Sequence, residues 1–202
     1  MKNIYKIYLT GVGGQGIVRV STIIGESAMR KGVNVVMSEL HGMAERGGII
    51  TTEVKLGDAS SALIQNGNAD LLFAMEPVEA LRSLEKVGPN TTAIVNSAPV
   101  IPFTVSLGID TYPEIAKIIA ELQGKIKNLF VIDALELSRK AGDTIASNIV
   151  MLGAAAAIPG FPVEKELLLT SMKETFPAST IEVNYAAFES GYETILSEIS
   201  RS

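Results

Sequence analysis

Residues 4–38 read IYKIYLTGVGGQGIVRVSTIIGESAMRKGVNVVMS. Ile4 to Thr10 alternates apolar and polar side chains and is rich in β-branched and aromatic residues, the pattern of a strand. The glycine loop Gly11 to Gly16 follows at once. Ile17, Val20, Ile23, Ile24 and Ala28 then recur at helical spacing, and Gly32 stands where a helix C-cap is expected. Val33 to Ser38 is a second strand. Strand, helix and strand joined by short loops imply parallel pairing with a right-handed crossover.

Working outward, Glu39 to Gly48 is polar and glycine-rich and reads as a loop, Ile49 to Leu56 as a third strand, and Gly57-Asp58 as a turn. Leu71 to Met75 and Thr91 to Asn96 are short apolar runs, as expected of strands buried on both faces. Pro77 opens a helix reaching to about Lys86. Pro99 to Leu107 is irregular, because Pro99 and Pro102 prevent ladder pairing. Pro113 starts a helix with Ile115, Ile118, Ile119 and Leu122 on one face, and Leu129 to Ile132 is the last strand. Helices follow over Ala134–Ala141, capped by Gly142, over the nearly all-apolar stretch Ile145–Ala157, and over Val163–Lys173. Pro159 to Pro162 is a turn. A final helix carries the stripe Tyr185, Phe188, Tyr192, Ile195 and Ile199, a packing face against the core or another chain. The expected fold is α/β, an open, mostly parallel sheet flanked by helices, with a helical C-terminal third. The expected organisation is a single domain over residues 1–202, with a helical C-terminal extension from about residue 160.

Composition narrows the chemistry. The chain of 202 residues is 47% hydrophobic and carries a formal net charge of -5, which speaks against a nucleic-acid partner. It has no cysteine, so it holds no Cys-ligated iron–sulfur cluster, disulfide or catalytic thiol. With His41 as its single histidine, a His-rich metal site is excluded, and no compact acidic cluster suggests an oxygen-ligated ion. The start of the chain runs into a glycine loop rather than a cleavage site, and the longest apolar run, Ile149 to Ile158, is too short to cross a bilayer. A cytoplasmic location without membrane contact is expected.

Two loops carry the candidate chemistry. Gly11-Val-Gly13-Gly14-Gln15-Gly16 fits G-x-G-x-x-G between a strand and a helix, where glycines let backbone approach an anion at a helix N-terminus. Glu39, near the end of the second strand, stands where a carboxylate binds the ribose of a dinucleotide. The same glycines are also what a tight strand-to-helix turn against a sheet requires. The second loop, Ser38 to Gly48, holds His41, Gly42, Met43, Arg46, Gly47 and Gly48. His41 suits acid–base work and Arg46 an anion. Alternatively, His41 bonds locally and Arg46 pairs with Glu45 or Glu39. Both loops leave carboxyl ends of strands and are expected to share one edge, where open α/β sheets place their sites.

GVGGQGIV, SELHGMAERGG, ADLLFAMEPVEALRSL, IVNS, TYPEI, and VIDALELSRKAGD with NIVMLGA occur in this order from roughly Ile4 to Ala157. In this the chain resembles the indolepyruvate ferredoxin oxidoreductase beta subunit, which is similar to the gamma subunit or domain of pyruvate and 2-oxoglutarate ferredoxin oxidoreductases. The resemblance implies a small subunit of a complex that oxidatively decarboxylates aryl 2-oxoacids to an acyl-coenzyme A and reduces ferredoxin. It places thiamine diphosphate, magnesium and the iron–sulfur clusters on a large catalytic alpha subunit, in a heterodimer or heterotetramer, with coenzyme A as co-substrate. The isolated chain would carry no cofactor or catalytic residue of its own and would pair with itself at most. Gly57-Asp-Ala lacks the asparagine spacing of a thiamine diphosphate magnesium motif, in keeping with that division. The resemblance implies coenzyme A or interface contacts for Gly13, Gly14, Gln15, Gly16 and Arg19, and partner contacts for His41, Gly42, Met43, Arg46, Gly47 and Gly48. Two positions depart from the family pattern. Arg19 replaces an apolar first-turn residue and is expected to face a partner or a phosphate, and Ile49 follows Arg-Gly-Gly where serine is common. The competing function is a stand-alone nicotinamide or flavin enzyme using the glycine loop and Glu39, and a ligand-free scaffold is the third.

Overall fold

A computed structural model describes residues 4–42 and 47–201. In chain order the elements are β1 (Ile4–Val12), α1 (Ile17–Arg30), β2 (Val35–His41), β3 (Ile49–Gly57), β4 (Leu71–Ala74), α2 (Pro77–Arg82), β5 (Thr92–Asn96), α3 (Phe103–Ser106), α4 (Ile115–Lys125), β6 (Asn128–Ile132), α5 (Ala134–Ala141), α6 (Ser147–Ala156), α7 (Lys165–Thr175) and α8 (Ile181–Ile199). The six strands form one sheet in the order β2-β3-β1-β4-β5-β6. β1, β4, β5 and β6 run parallel, while β3 is antiparallel to both of its neighbours. The sheet is thus mixed and mostly parallel, and helices dominate the C-terminal part.

One expectation is corrected here. β1 and β2 do not pair, because β3 lies between them, with Val12 opposite Ile49 and His41 opposite Ile50. The cause is connection length. Residues 42–48 are too few for a crossover, which takes about a dozen or more, so β2 and β3 close as an antiparallel hairpin. β2 also runs further than Ser38. Glu39, Leu40 and His41 belong to the strand and pair with Thr52, Thr51 and Ile50. As an edge strand whose last five residues are exposed, β2 lacks the apolar alternation that marks a strand in sequence.

Side-chain alternation sorts the sheet into two cores. Ile7, Leu9, Leu71, Phe73 and Ile94 face one side with α1, α6, α7 and α8, and Tyr8, Leu72, Ala93 and Val95 face the other, with Ile118 and Leu122 of α4. The stripe of α8 closes on this chain's own core. Phe188 and Ile195 are fully buried, with Tyr185, Tyr192 and Ile199 packed around them. On the second face Lys86 pins the loop after β3. Its ammonium donates to the Ile64 carbonyl at 2.9 Å and lies 3.4 Å from the Glu53 carboxylate, while Glu53 also accepts from the Ile64 N–H.

α6 and α8 meet backbone to backbone. A Cβ on Gly153 would stand 1.9 Å from the carbonyl oxygen of Phe188, and one on Gly191 would stand 1.9 Å from that of Val150. Glycine inside a helix costs about 1 kcal/mol relative to alanine, and here close approach of the two helices requires it. The contact predicts opposite signs for two chemically identical changes. Gly153→Ala should destabilise the chain by about 1–3 kcal/mol through overpacking. Gly124→Ala in α4, where an added Cβ meets nothing within 4 Å, should stabilise it by about 0.5–1 kcal/mol. Urea unfolding of the two variants measures both, and equal midpoints would contradict the α6–α8 contact.

Candidate functional site

At the carboxyl edge of the sheet the two glycine-containing loops meet through the start of β3. The Gly13 N–H donates to the Gly48 carbonyl and the Gly42 N–H to the Ile49 carbonyl, each at 2.8 Å. The expected shared edge is therefore present, although the strands leading into it are not neighbours. Gly13, Gly14, Gln15, Gly16, His41, Gly42, Gly47 and Gly48 all lie on this edge or at the strand ends that form it. Met43 and Arg46 fall outside the described residues.

Gln15 spans the point where strand order reverses, between β1 and β4. Its Oε1 accepts from the Val12 N–H at 2.9 Å and its Nε2 donates to the Met75 carbonyl at 2.9 Å. The buried Asn96 amide donates to the same carbonyl at 3.1 Å, while its Oδ1 accepts from the N–H groups of Ala98 at 3.2 Å and Ala134 at 3.1 Å. A line of side-chain amides thus ties the ends of β1, β4 and β5 to the start of α5. This is the crevice in which an open α/β sheet would seat a dinucleotide. Here a glutamine lies across it.

Gly11 and Gly16 of the first loop are accounted for by this packing. A Cβ on Gly11 would stand 2.7 Å from Gln15 Oε1. Gly16 caps α1 in the left-handed region, with φ of 76°, and the side-chain amide of Asn148, at the start of α6, fills the place of its missing side chain. Only Gly14, with φ of 98°, is exposed with open space around it. Glu39 is held within the β2–β3 pairing, its carboxylate 3.3 Å from His41 Nε2, so the local partner expected for His41 is this one. Arg19 is exposed and stacks its guanidinium over the Phe176 ring at 5.4 Å, cation–π geometry that carries it toward the end of α7. Ile49, opposite Val12, is exposed.

Beside the amide line, Glu76 caps α2 by accepting from the N–H groups of Val78 at 2.7 Å and Glu79 at 3.1 Å, and its second oxygen accepts from the Tyr112 hydroxyl. Burial, and then the bond to Glu76, raises the pKa of that hydroxyl. Burial also pushes the Glu79 carboxyl up, against the opposing pull of Arg82. Glu76, Asn96, Tyr112 and Asn148 escaped the sequence reading. The available signal was a polar residue at the end of each apolar run, in AMEP and IVNS. Among the described residues no group of three or more potential ligands is arranged to hold a metal ion. No helix among them is long and apolar enough to cross a membrane.

A family model described as pyruvate ferredoxin/flavodoxin oxidoreductase matches residues 6–194. The chain belongs to this family. It is 45% identical over 188 residues to indolepyruvate oxidoreductase subunit IorB of Methanothermobacter thermautotrophicus, covering 93% of this chain and 96% of that protein. It is 38% identical over 191 residues to the subunit of the same name from Archaeoglobus fulgidus, covering 95% of each. Among solved structures, the gamma subunit of keto/oxoacid ferredoxin oxidoreductase from Geobacter sulfurreducens superposes with a TM-score of 0.71 at 25% identity, over 96% of this chain and 99% of that one. The 2-oxoglutarate:ferredoxin oxidoreductase of Magnetococcus marinus shares the fold with a TM-score of 0.73 at 19% identity, over 98% of this chain but only 32% of its own. The gamma-type fold thus occurs both as a separate chain and as one part of a longer one.

The amide line sets a stability prediction. Gln15→Ala leaves the Val12 N–H without its acceptor and should cost about 1–3 kcal/mol, and Asn96→Ala, which removes four bonds, at least as much. Because both amides donate to one carbonyl, the double variant should lose more than the sum by at least about 0.5 kcal/mol. Urea unfolding of the four-member cycle measures the coupling, and strict additivity would show that Met75 is not a shared acceptor.

Proposed function

We propose that this chain is the small subunit of an indolepyruvate:ferredoxin oxidoreductase, and that it lends the carboxyl edge of its sheet to a large catalytic alpha subunit. The observation that carries the reading is the way the two glycine loops are built. In a nucleotide enzyme the crevice at the end of β1 is open and a carboxylate beyond β2 is free to bind ribose. Here Gln15 lies across the crevice and Glu39 is engaged with His41. What the first loop offers outward is the backbone at Gly14, open to close contact with another protein. Full-length similarity to subunits named for indolepyruvate oxidoreductase supports the substrate class. The stand-alone nicotinamide or flavin enzyme has no observation in its favour.

On this reading thiamine diphosphate, magnesium and the iron–sulfur clusters sit on the alpha subunit, ferredoxin is reached through the complex, and coenzyme A is a co-substrate. The absence of cysteine from the sequence supports the placement of the clusters. Residues 1–202 act as one gamma-type domain, which the sharing of one core by the sheet and α6–α8 supports. Gly13, Gly14, Gln15, Gly16 and Arg19 contribute an interface or coenzyme A contact. The openness of Gly14 favours backbone approach there, while the stacking of Arg19 on Phe176 favours a protein contact over a phosphate. His41, Gly42, Met43, Arg46, Gly47 and Gly48 face the alpha subunit. The complex works in the cytoplasm, and the isolated chain pairs with itself at most.

Purified alone, the chain should be colourless and inactive. Added to its alpha subunit, it should restore coenzyme A-dependent oxidation of indolepyruvate, read by reduction of ferredoxin. Tight binding of a nicotinamide or flavin nucleotide by the isolated chain, in a calorimetric titration, would overturn the proposal. Arg46→Ala should weaken assembly or raise the coenzyme A concentration needed for half-maximal rate. If neither changes, Arg46 is a surface charge without a role in the complex.

A further inference from the structure

Five of the exposed large apolar side chains among the described residues fall in one stretch: Val100, Ile101, Phe103, Leu107 and Ile109. Among the described residues the three most exposed large hydrophobics are Ile145 at 81%, Phe103 at 75% and Leu40 at 71%. Leu40 lies near the carboxyl end of β2. Ile145 stands three residues before Asn148, whose amide reaches Gly16. Phe103 opens α3, inside the segment that leaves the carboxyl end of β5. Monomeric proteins rarely gather such residues on one side, because each exposed apolar area costs free energy in water.

The segment from Ser97 to Tyr112 concentrates the effect. Ile101, Phe103, Leu107 and Ile109 are all about half exposed or more, and no residue of α3 is buried. Asp110 is its sole charged residue. Yet the segment is built, not loose. The Ser97 N–H donates to the Ile132 carbonyl at 2.8 Å, and the Tyr112 hydroxyl donates to the buried Glu76, so both ends are fastened to the carboxyl edge. Between them the N–H groups of Leu107, Gly108 and Ile109 bond back to the carbonyls of Phe103, Val105 and Thr104. The turn of α3 thus closes on its own carbonyls, while Ile101, Phe103, Leu107 and Ile109 belong to neither core. A surface already ordered, apolar and nearly uncharged loses little conformational entropy when covered, which is what a lasting interface requires.

We infer that the 97–112 segment is a docking arm for the large catalytic subunit, its apolar side chains covered by an uncharged apolar surface of that partner. The inference rests on the reading of the chain as a small subunit. The arm leaves the carboxyl end of β5, on the same edge of the sheet as the two glycine loops, so one partner covers both. A second copy of this chain fits less well, because the arm's only charge is negative and a copy of the arm offers it no opposite charge.

The test is a titration of the alpha subunit with this chain, following ferredoxin reduction, for the wild type, for Phe103→Ser with Leu107→Ser, and for Met29→Ser. Met29 is an equally bare apolar residue, at the far end of α1. The arm variant should need at least about tenfold more chain for half-maximal activity, equivalent to about 1.4 kcal/mol, and the Met29 variant should match the wild type. Because the replaced side chains are exposed, the melting temperature of the isolated arm variant should stay within about 2 °C of the wild type. An arm variant that titrates like the wild type overturns the inference and leaves the functional reading standing. So does one that titrates normally but loses self-association in size-exclusion chromatography, which would assign the arm to a contact between copies. Failure of the wild type to restore activity at any concentration overturns both.

Discussion

The carbonyl of Met75 holds the middle of this molecule together. It lies just past β4, between the strands where sheet order reverses, and it accepts one side-chain amide from each side, Gln15 and Asn96. A carbonyl has two lone pairs, and here both meet donors, one from the turn after β1 and one from the end of β5. Through Gln15 the bond reaches back to the end of β1, the strand that pairs antiparallel with β3 and parallel with β4. Through Asn96 it reaches forward to α5. The ends of three strands are thereby aligned, and the loops that leave them are positioned by polar contacts in a buried place, where an unmade hydrogen bond is costly.

That alignment explains how the glycines of a loop with the spacing of a dinucleotide fingerprint are used by the chain's own side chains. The fingerprint glycines are needed for space in either case. In a nucleotide site the space is filled by a pyrophosphate. Here Gln15 fills it at Gly11 and Asn148 at Gly16, side chains of this chain itself. Gly14 and Gly47 are left with open space where a side chain would stand. A family whose members are subunits of oxidoreductases, with catalysis divided among chains or domains, has use for such a face.

Much of the architecture was legible because local rules and tertiary packing agree. The 3.6-residue spacing of α1, the unbroken apolar runs of β4 and β5, the proline before α2 and the glycine after α5 each point to the element found. Where they disagree, sequence reading stopped short. β2 is an edge strand facing solvent, so its last residues are mostly polar and resemble a loop. Its separation from β1 by β3 follows from the shortness of the hairpin connection, a constraint that a strand–helix–strand pattern hides. The glycines of α6 and α8 pass for ordinary helical residues until the helices are seen touching through them.

For the site, the sequence by itself determined the absence of thiolate chemistry, the two glycine loops and their order, since these depend only on which residues are present and how they are spaced. That Gln15 turns inward to Met75, that Asn148 comes from 132 residues away to fill Gly16, and that the arm after β5 is ordered but bare were decided by tertiary structure alone. Each is a contact between segments far apart in the chain, and a glycine leaves no trace in sequence of whether a ligand or a neighbouring side chain takes the place it leaves open.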